Sequence, residues 1–240
     1  MPKSRIAFAL DYPSLDEARR GALAVREHIG LVKVGLELFV KEGRSAFAIA
    51  AECGVDLFAD LKLHDIPETI ERAIASVAAS GARFVTVHAA GGAAMLARAV
   101  QRANQETGGR MMVLAVTVLT SLDDADLAAQ GITGRSQDHA VRLAHLAFGA
   151  GVRGFVCSPA EVRALRAELG PEVTLVTPGV RPAGATPDDQ KRVASAADAI
   201  ADGADIVVVG RPIRDAADPA AAAREIAADV ERGLARRTTK

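Results

Sequence analysis

The first chemical signal is Asp60-Leu61-Lys62-Leu63-His64-Asp65, where two acids and a lysine share one short stretch. It follows the largely apolar segment from Val55 to Ala59. It precedes Ile66-Pro67-Glu68-Thr69, where Pro67 is well placed to open a helix. On a strand, alternate residues share a face, so Asp60 and Lys62 point the same way, roughly 7 Å apart along the backbone. Leu61 and Leu63 then point into apolar packing, and Asp65 lies just past the strand end. Nearby carboxylates favour an ammonium over a neutral amine. Such a lysine is a poor Schiff-base nucleophile but a good fixed cation and a positioned proton donor. A surface ion-pair cluster at a helix start would use the same residue types, so the rest of the chain must decide.

The elements that would hold these residues alternate strictly. Strands are expected at Ile6 to Leu10, Leu31 to Gly35, Val55 to Leu61, Phe84 to His88, Met111 to Val118, Phe155 to Cys157, Val173 to Thr177 and Ile206 to Gly210. A helix follows each strand. The first is capped by Ser14 with Glu17 at capping-box spacing and runs to about Ile29. The second is expected from about Lys41 to Cys53, the third from Pro67 to about Ser80, and the last from about Pro219 to Arg236. Strict alternation argues for a parallel sheet, and eight units in 240 residues argue for a closed (β/α)8 TIM barrel, one α/β domain over residues 1–240. An open doubly wound sheet is the alternative, but no Gly-x-Gly-x-x-Gly follows the first strand.

Composition narrows the function classes. The formal net charge of −1, one Tyr and no Trp give neither a basic footprint nor stacking platforms for nucleic acid. No apolar run reaches membrane-spanning length. Cys53 and Cys157 lie far apart without a Cys-x-x-Cys partner, and are expected to be buried free thiols in a reducing cytoplasm. The N-terminus leads into a strand with no signal-like stretch.

In a barrel the strand ends share one rim, where active sites are built. That rim would carry Asp11, Lys33, Asp60 with Lys62, His88, Thr117, Cys157 with Ser158, Thr177, and Gly210 with Arg211. His88 alone reads as a hydrogen-bonded structural histidine. Four charges of alternating sign on the first three strands are harder to explain structurally, because buried charges are costly unless paired. The loops after strands seven and eight are Thr177-Pro178-Gly179-Val180-Arg181-Pro182 and Val209-Gly210-Arg211-Pro212-Ile213. Their glycines let backbone N–H groups approach an anion, and Arg181 and Arg211 offer bidentate forks. Arg211 also adjoins the start of a short helix, which favours anions. A phosphate is the expected occupant. The loop from Pro178 to Asp189 is a candidate lid, with Gln190 at its far edge.

Together these segments resemble the orotidine 5′-phosphate decarboxylase family of the bacterial type. The resemblance runs through Ala9-Leu10-Asp11, Val32-Lys33-Val34-Gly35, Asp60-Leu61-Lys62-Leu63-His64-Asp65-Ile66-Pro67 and Val87-His88-Ala89-Ala90-Gly91-Gly92. It continues in Leu119-Thr120-Ser121 and in both loops after strands seven and eight. The resemblance implies decarboxylation of orotidine 5′-phosphate to uridine 5′-phosphate without metal or organic cofactor. It implies that Lys62 protonates C6 of the pyrimidine, flanked by Asp60 and by Asp65 from a second subunit. Lys33 would link the acids to the ribose hydroxyls, and Asp11 would contact the ribose. Thr120 matches a substrate-binding threonine; Ser121 is beside it, and the sequence leaves open which one carries the base contact. Arg181, Gln190, Gly210 and Arg211 match a phosphate-gripping set. Ile66 and Thr69 lie in the segment that the partner of a homodimer lends to the site.

Two other readings use the same motif. Magnesium-dependent relatives, such as 3-keto-gulonate 6-phosphate decarboxylase and hexulose phosphate synthase, carry an acid where this chain has Lys33. A lysine there disfavours a divalent cation by charge and by loss of an oxygen ligand. A catalytically silent nucleotide-binding barrel is the other reading, and an intact Asp60, Lys62 and Asp65 argues against it.

Overall fold

A computed structural model describes residues 1–181 and 194–238. Its strands are β1 (Ile6–Ala9), β2 (Leu31–Val34), β3 (Asp56–Leu63), β4 (Phe84–His88), β5 (Met112–Val116), β6 (Gly154–Val156), β7 (Thr174–Thr177) and β8 (Ile206–Val209). They pair in chain order, all parallel, and β8 pairs with β1 to close the barrel. The expected (β/α)8 TIM barrel is therefore what the chain forms. The helices are α1 (Leu15–Val25), α2 (Leu36–Glu42), α3 (Ala48–Cys53), α4 (Pro67–Ala78), α5 (Gly92–Thr107), α6 (Asp124–Ala129), α7 (Ser136–Gly149), α8 (Pro159–Leu169), α9 (Ala196–Asp202), α10 (Arg211–Arg214) and α11 (Pro219–Thr238).

Strand alternation sorts the core into two layers. Inward residues, among them Ala7, Leu31, Phe58, Phe84, Leu114, Val176 and Ile206, fill the barrel. Phe58 and Phe84 meet edge to face there, with centroids 6.0 Å apart. Outward residues such as Ile6, Phe8, Val32, Leu57, Val85 and Val87 pack beneath the helices. Asp205, just before β8, faces Arg166 at 2.6 Å, Arg237 at 3.4 Å and Arg5 at 3.6 Å. This cluster holds the N-terminal end of the β8–β1 seam, opposite the rim expected to carry chemistry.

Several element boundaries differ from expectation, and three bear on the segments around the site. The Ser14 cap is present, its hydroxyl accepting from the Glu17 N–H, but α1 stops at Val25. A helix begins at Leu36, where no helix was expected. Its N-cap is Gly35, which has no side chain to signal a start, and its Leu36 and Val40 are exposed, so its apolar pattern does not mark a buried face. Third, β3 runs two residues further, through Lys62 to Leu63, because its ladder to β4 shifts register between Ala59 and Leu63.

Gly154 faces the barrel interior on β6, where a Cβ would come within 2.4 Å of Leu114 and 2.8 Å of Met112. Overpacking a filled interior is destabilising. Gly154→Val should therefore lower unfolding free energy by about 1–3 kcal/mol in urea denaturation; an unchanged midpoint would contradict this packing.

Candidate active site

A cavity of about 330 Å³ opens among the segments that follow the C-terminal ends of the strands. From β2 and β3 come Lys33, Asp60 and Lys62, from the turn just after β1 comes Asp11, and from the segments after β7 and β8 come Arg181, Gly210 and Arg211. Its size is that of a small-molecule site. Thr120 also lines it, whereas Ser121 is exposed and outside its walls. Gln190 and most of the expected lid lie outside the described residues.

Asp60 is the centre of the charged group. It is 8% exposed, and both of its carboxylate oxygens accept from the Lys62 ammonium at 2.9 Å. Its Oδ2 is 3.3 Å from Lys33 Nζ, which is 3.6 Å from Asp11 Oδ1. Neighbouring strands β1, β2 and β3 thus build an alternating chain of Asp11, Lys33, Asp60 and Lys62. Gly35 leaves room for it, since a Cβ there would stand 3.0 Å from Lys33 Nζ.

Burial alone would raise the Asp60 carboxyl. The charges of Lys33 and Lys62, with hydrogen bonds from Lys62 and Thr86, outweigh burial and hold it below the ordinary carboxylate range. Burial would likewise lower Lys33, but Asp60 and Asp11 outweigh it and hold that ammonium above the ordinary lysine value.

The backbone departs from regular strand at this point. Lys62 has φ +48°, a conformation found at no other non-glycine among the described residues. Simple alternation is therefore not what joins Asp60 to Lys62. A bulge turns the lysine back over the acid two residues before it. Leu61 packs into the outer core, as expected.

Asp65 is not part of this group within one chain. Among the described residues, the carboxylate in ion-pair range of Lys62 is Asp60. Asp65 is exposed, and its Oδ1 accepts the Ile66 N–H at 2.6 Å. The turn into α4 points it outward, with Ile66 and Thr69 also exposed. Within one chain, Lys62 therefore meets one carboxylate, Asp60, which itself lies between the ammoniums of Lys62 and Lys33.

Arg181 and Arg211 lie at the opposite loops as expected, with Gly179 in left-handed backbone at φ +80°. His88 makes a ring contact with His64, centroids 5.4 Å apart, and no side-chain hydrogen bond among the described residues. Burial, together with His64 and Lys62, holds it below the ordinary histidine value.

Two residues of the site were not picked out from sequence. Arg214 lines the cavity, donates to the Asp11 carbonyl at 2.8 Å and forks onto Asp215. Its signal was the spacing of three from Arg211. Thr86 is fully buried on β4 and bonds to both Asp60 and Lys62. Its signal was an inward polar residue between Phe84 and His88 on an apolar strand.

Residues 4–226 match the model of the orotidine 5′-phosphate decarboxylase / HUMPS family. The chain belongs to this family. An orotidine 5′-phosphate decarboxylase from Anaeromyxobacter sp. (strain K) is 58% identical over 227 residues, covering 95% of this chain and 98% of the relative. That from Thermobifida fusca (strain YX) is 51% identical, covering 95% and 96%. The crystal structure of orotidine 5′-phosphate decarboxylase from Lactobacillus acidophilus superposes with a TM-score of 0.82 at 34% identity, covering 93% of this chain and 97% of that one. Among the described residues, no cluster of three or more His, Cys, Asp or Glu could hold a metal ion, and no helix is long and apolar enough to cross a membrane.

A carboxylate held low by its partners stabilises the fold above the ordinary carboxylate value, about 3.9, and loses that contribution as pH falls through its depressed value. Asp60→Asn should therefore flatten the fall of Tm below about pH 4 relative to the unsubstituted protein. Parallel Tm profiles would show that Asp60 does not carry this dependence.

Proposed function

We propose that this family member decarboxylates orotidine 5′-phosphate to uridine 5′-phosphate and carbon dioxide. The catalytic domain would span residues 1–240. The observation that carries the proposal is Asp60 bridged by Lys33 and Lys62 in a cavity whose other loops bring Arg181 and Arg211.

The chemistry follows from that polarity. When the C6–carboxylate bond breaks, carbon dioxide leaves and the bonding pair stays on C6. That pair lies in the ring plane and is not conjugated with the ring carbonyls, so it needs electrostatic stabilisation from the protein. The Lys62 ammonium, fixed by two hydrogen bonds to Asp60, meets that charge and transfers its proton to C6. Solvent then returns a proton to Lys62. One proton is consumed for each carbon dioxide released, and no oxidant or reductant is needed.

The remaining residues bind. Arg181, Gly210, Arg211 and Gln190 grip the phosphate, Asp11 and Lys33 the ribose hydroxyls, and Thr120 the base. The wall position of Thr120 favours it over Ser121. Phosphate affinity remote from C6 supplies binding energy that holds the ring against the charged group. The reading needs neither metal nor organic cofactor. Lys33, 3.3 Å from Asp60, brings positive charge to the spot where a divalent cation would need an oxygen ligand. That disfavours a magnesium-dependent sugar-phosphate reaction.

The active form is a homodimer working in the cytoplasm, with no nucleic-acid or membrane partner. Asp65 acts in its partner's site, with Ile66 and Thr69 beside it. Support comes from the outward turn of Asp65 and from exposed Leu36, Val40 and Ile66 on the segments after β2 and β3.

Ultraviolet loss of the orotate chromophore should follow mixing with orotidine 5′-phosphate and should persist in EDTA. Lys62→Ala should lower kcat/KM by about 10⁴-fold or more. Turnover that survives the substitution, or that needs added magnesium, would overturn the assignment. Lys62→Ala and Asp65→Ala homodimers should each be nearly inactive. Mixed and allowed to exchange subunits, they should recover about a quarter of full activity, because half of the dimers then hold one intact site. No recovery in mixtures proven to exchange would place Asp65 outside the partner's site.

A further inference from the structure

The ladder between β3 and β4 has an uneven count. Ala59 pairs with Val85 and Leu63 with Val87. Three residues of β3, Asp60, Leu61 and Lys62, therefore face a single residue of β4, Thr86. A regular parallel ladder pairs one with one, so a bulge of this kind leaves β3 backbone groups without their usual carbonyl partners. The Lys62 N–H is one such group, and it donates instead to Thr86 Oγ1 at 2.8 Å. The same hydroxyl donates its proton to Asp60 Oδ1 at 3.0 Å. A hydroxyl has one proton and two lone pairs, so both bonds have the right polarity.

We infer that Thr86 is a positioning residue for the charged group, its hydroxyl setting both the backbone turn of Lys62 and the orientation of the Asp60 carboxylate. The inference rests on the decarboxylase reading above for its kinetic part and on geometry for the rest. A non-glycine at positive φ is strained and persists only where its surroundings over-determine it. At Lys62 the hydroxyl supplies the hydrogen bond that the bulge removed. At Asp60 it fixes one oxygen, so that both oxygens meet Lys62 and the second also faces Lys33. Thr86 is fully buried and forms no part of the cavity wall, so it acts through these two residues and not on substrate. Arg181 and Arg211 are on other strands' loops, so phosphate binding does not depend on it.

The test compares Thr86→Val, Thr86→Ala and Thr86→Ser in the full-length protein, with Tm and circular dichroism to establish the folded fraction. Val keeps the shape and removes the hydroxyl; Ser keeps the hydroxyl. Losing a hydrogen bond to a charged group while leaving a buried N–H unpaired should cut kcat per folded site by about ten- to a hundredfold for Val and Ala. KM should stay within about twofold, because the phosphate grip is intact. Thr86→Ser should return kcat to within about threefold of the unsubstituted protein. A crystal structure of Thr86→Val should show Asp60 rotated or Lys62 out of its left-handed conformation. Full kcat in Val, or a Ser variant as impaired as Val, would overturn the inference. Val and Ala variants that both fail to fold would also overturn it, placing the hydroxyl's role in barrel formation. If the unsubstituted protein does not turn over orotidine 5′-phosphate, the functional reading fails by itself, and the Val crystal structure alone decides the role of Thr86.

Discussion

A carboxylate taken out of water costs several kcal/mol unless its charge is answered, and Asp60 is answered from two sides. Lys62 comes from its own strand and Lys33 from the strand before it. The two lysines offset the cost of burying the acid, and the acid, with Asp11, offsets the cost of burying Lys33. This mutual dependence fixes three side chains relative to one another before any substrate arrives. A preorganised cation of that kind costs no reorganisation at the moment charge develops on a reacting carbon.

The barrel contributes by spacing strands. Parallel neighbours lie about 4.8 Å apart, so residues at the ends of β1, β2 and β3 come within ion-pair reach although they are distant in sequence. The bulge contributes the remaining adjustment. In a flat strand Lys62 would stand beside Asp60 on one face; with the backbone turned to φ +48°, its ammonium reaches both carboxylate oxygens. Local strain is thus concentrated at the residue that meets the reacting carbon in the proposed mechanism, while the opposite end of the barrel is held by the cluster around Asp205. Stability and chemistry sit at different ends of one fold.

Much of this was legible in the chain. Strict strand–helix alternation is a periodic signal repeated eight times, and it gave the closed barrel that the strand pairing forms. The rim charges could be read because apolar strands end abruptly in Asp11, Lys33, Asp60 and Lys62. Boundaries were less legible where the signal was weak. Leu36 opens a helix behind a glycine cap that carries no side-chain mark, and exposed Leu36 and Val40 disguise its buried face.

The sequence by itself determined which residue types stand at which strand ends, since that depends only on period and composition. The tertiary structure alone decided how they meet. Asp60 turned out to lie between two ammoniums, because β2 lies against β3 and α4 carries Asp65 away. Thr86 and Arg214 entered the site because β4 and α10 close over it. Such contacts depend on which strands lie side by side and on the register shift between β3 and β4, and a bulge that breaks the strand's period is not marked by the period itself.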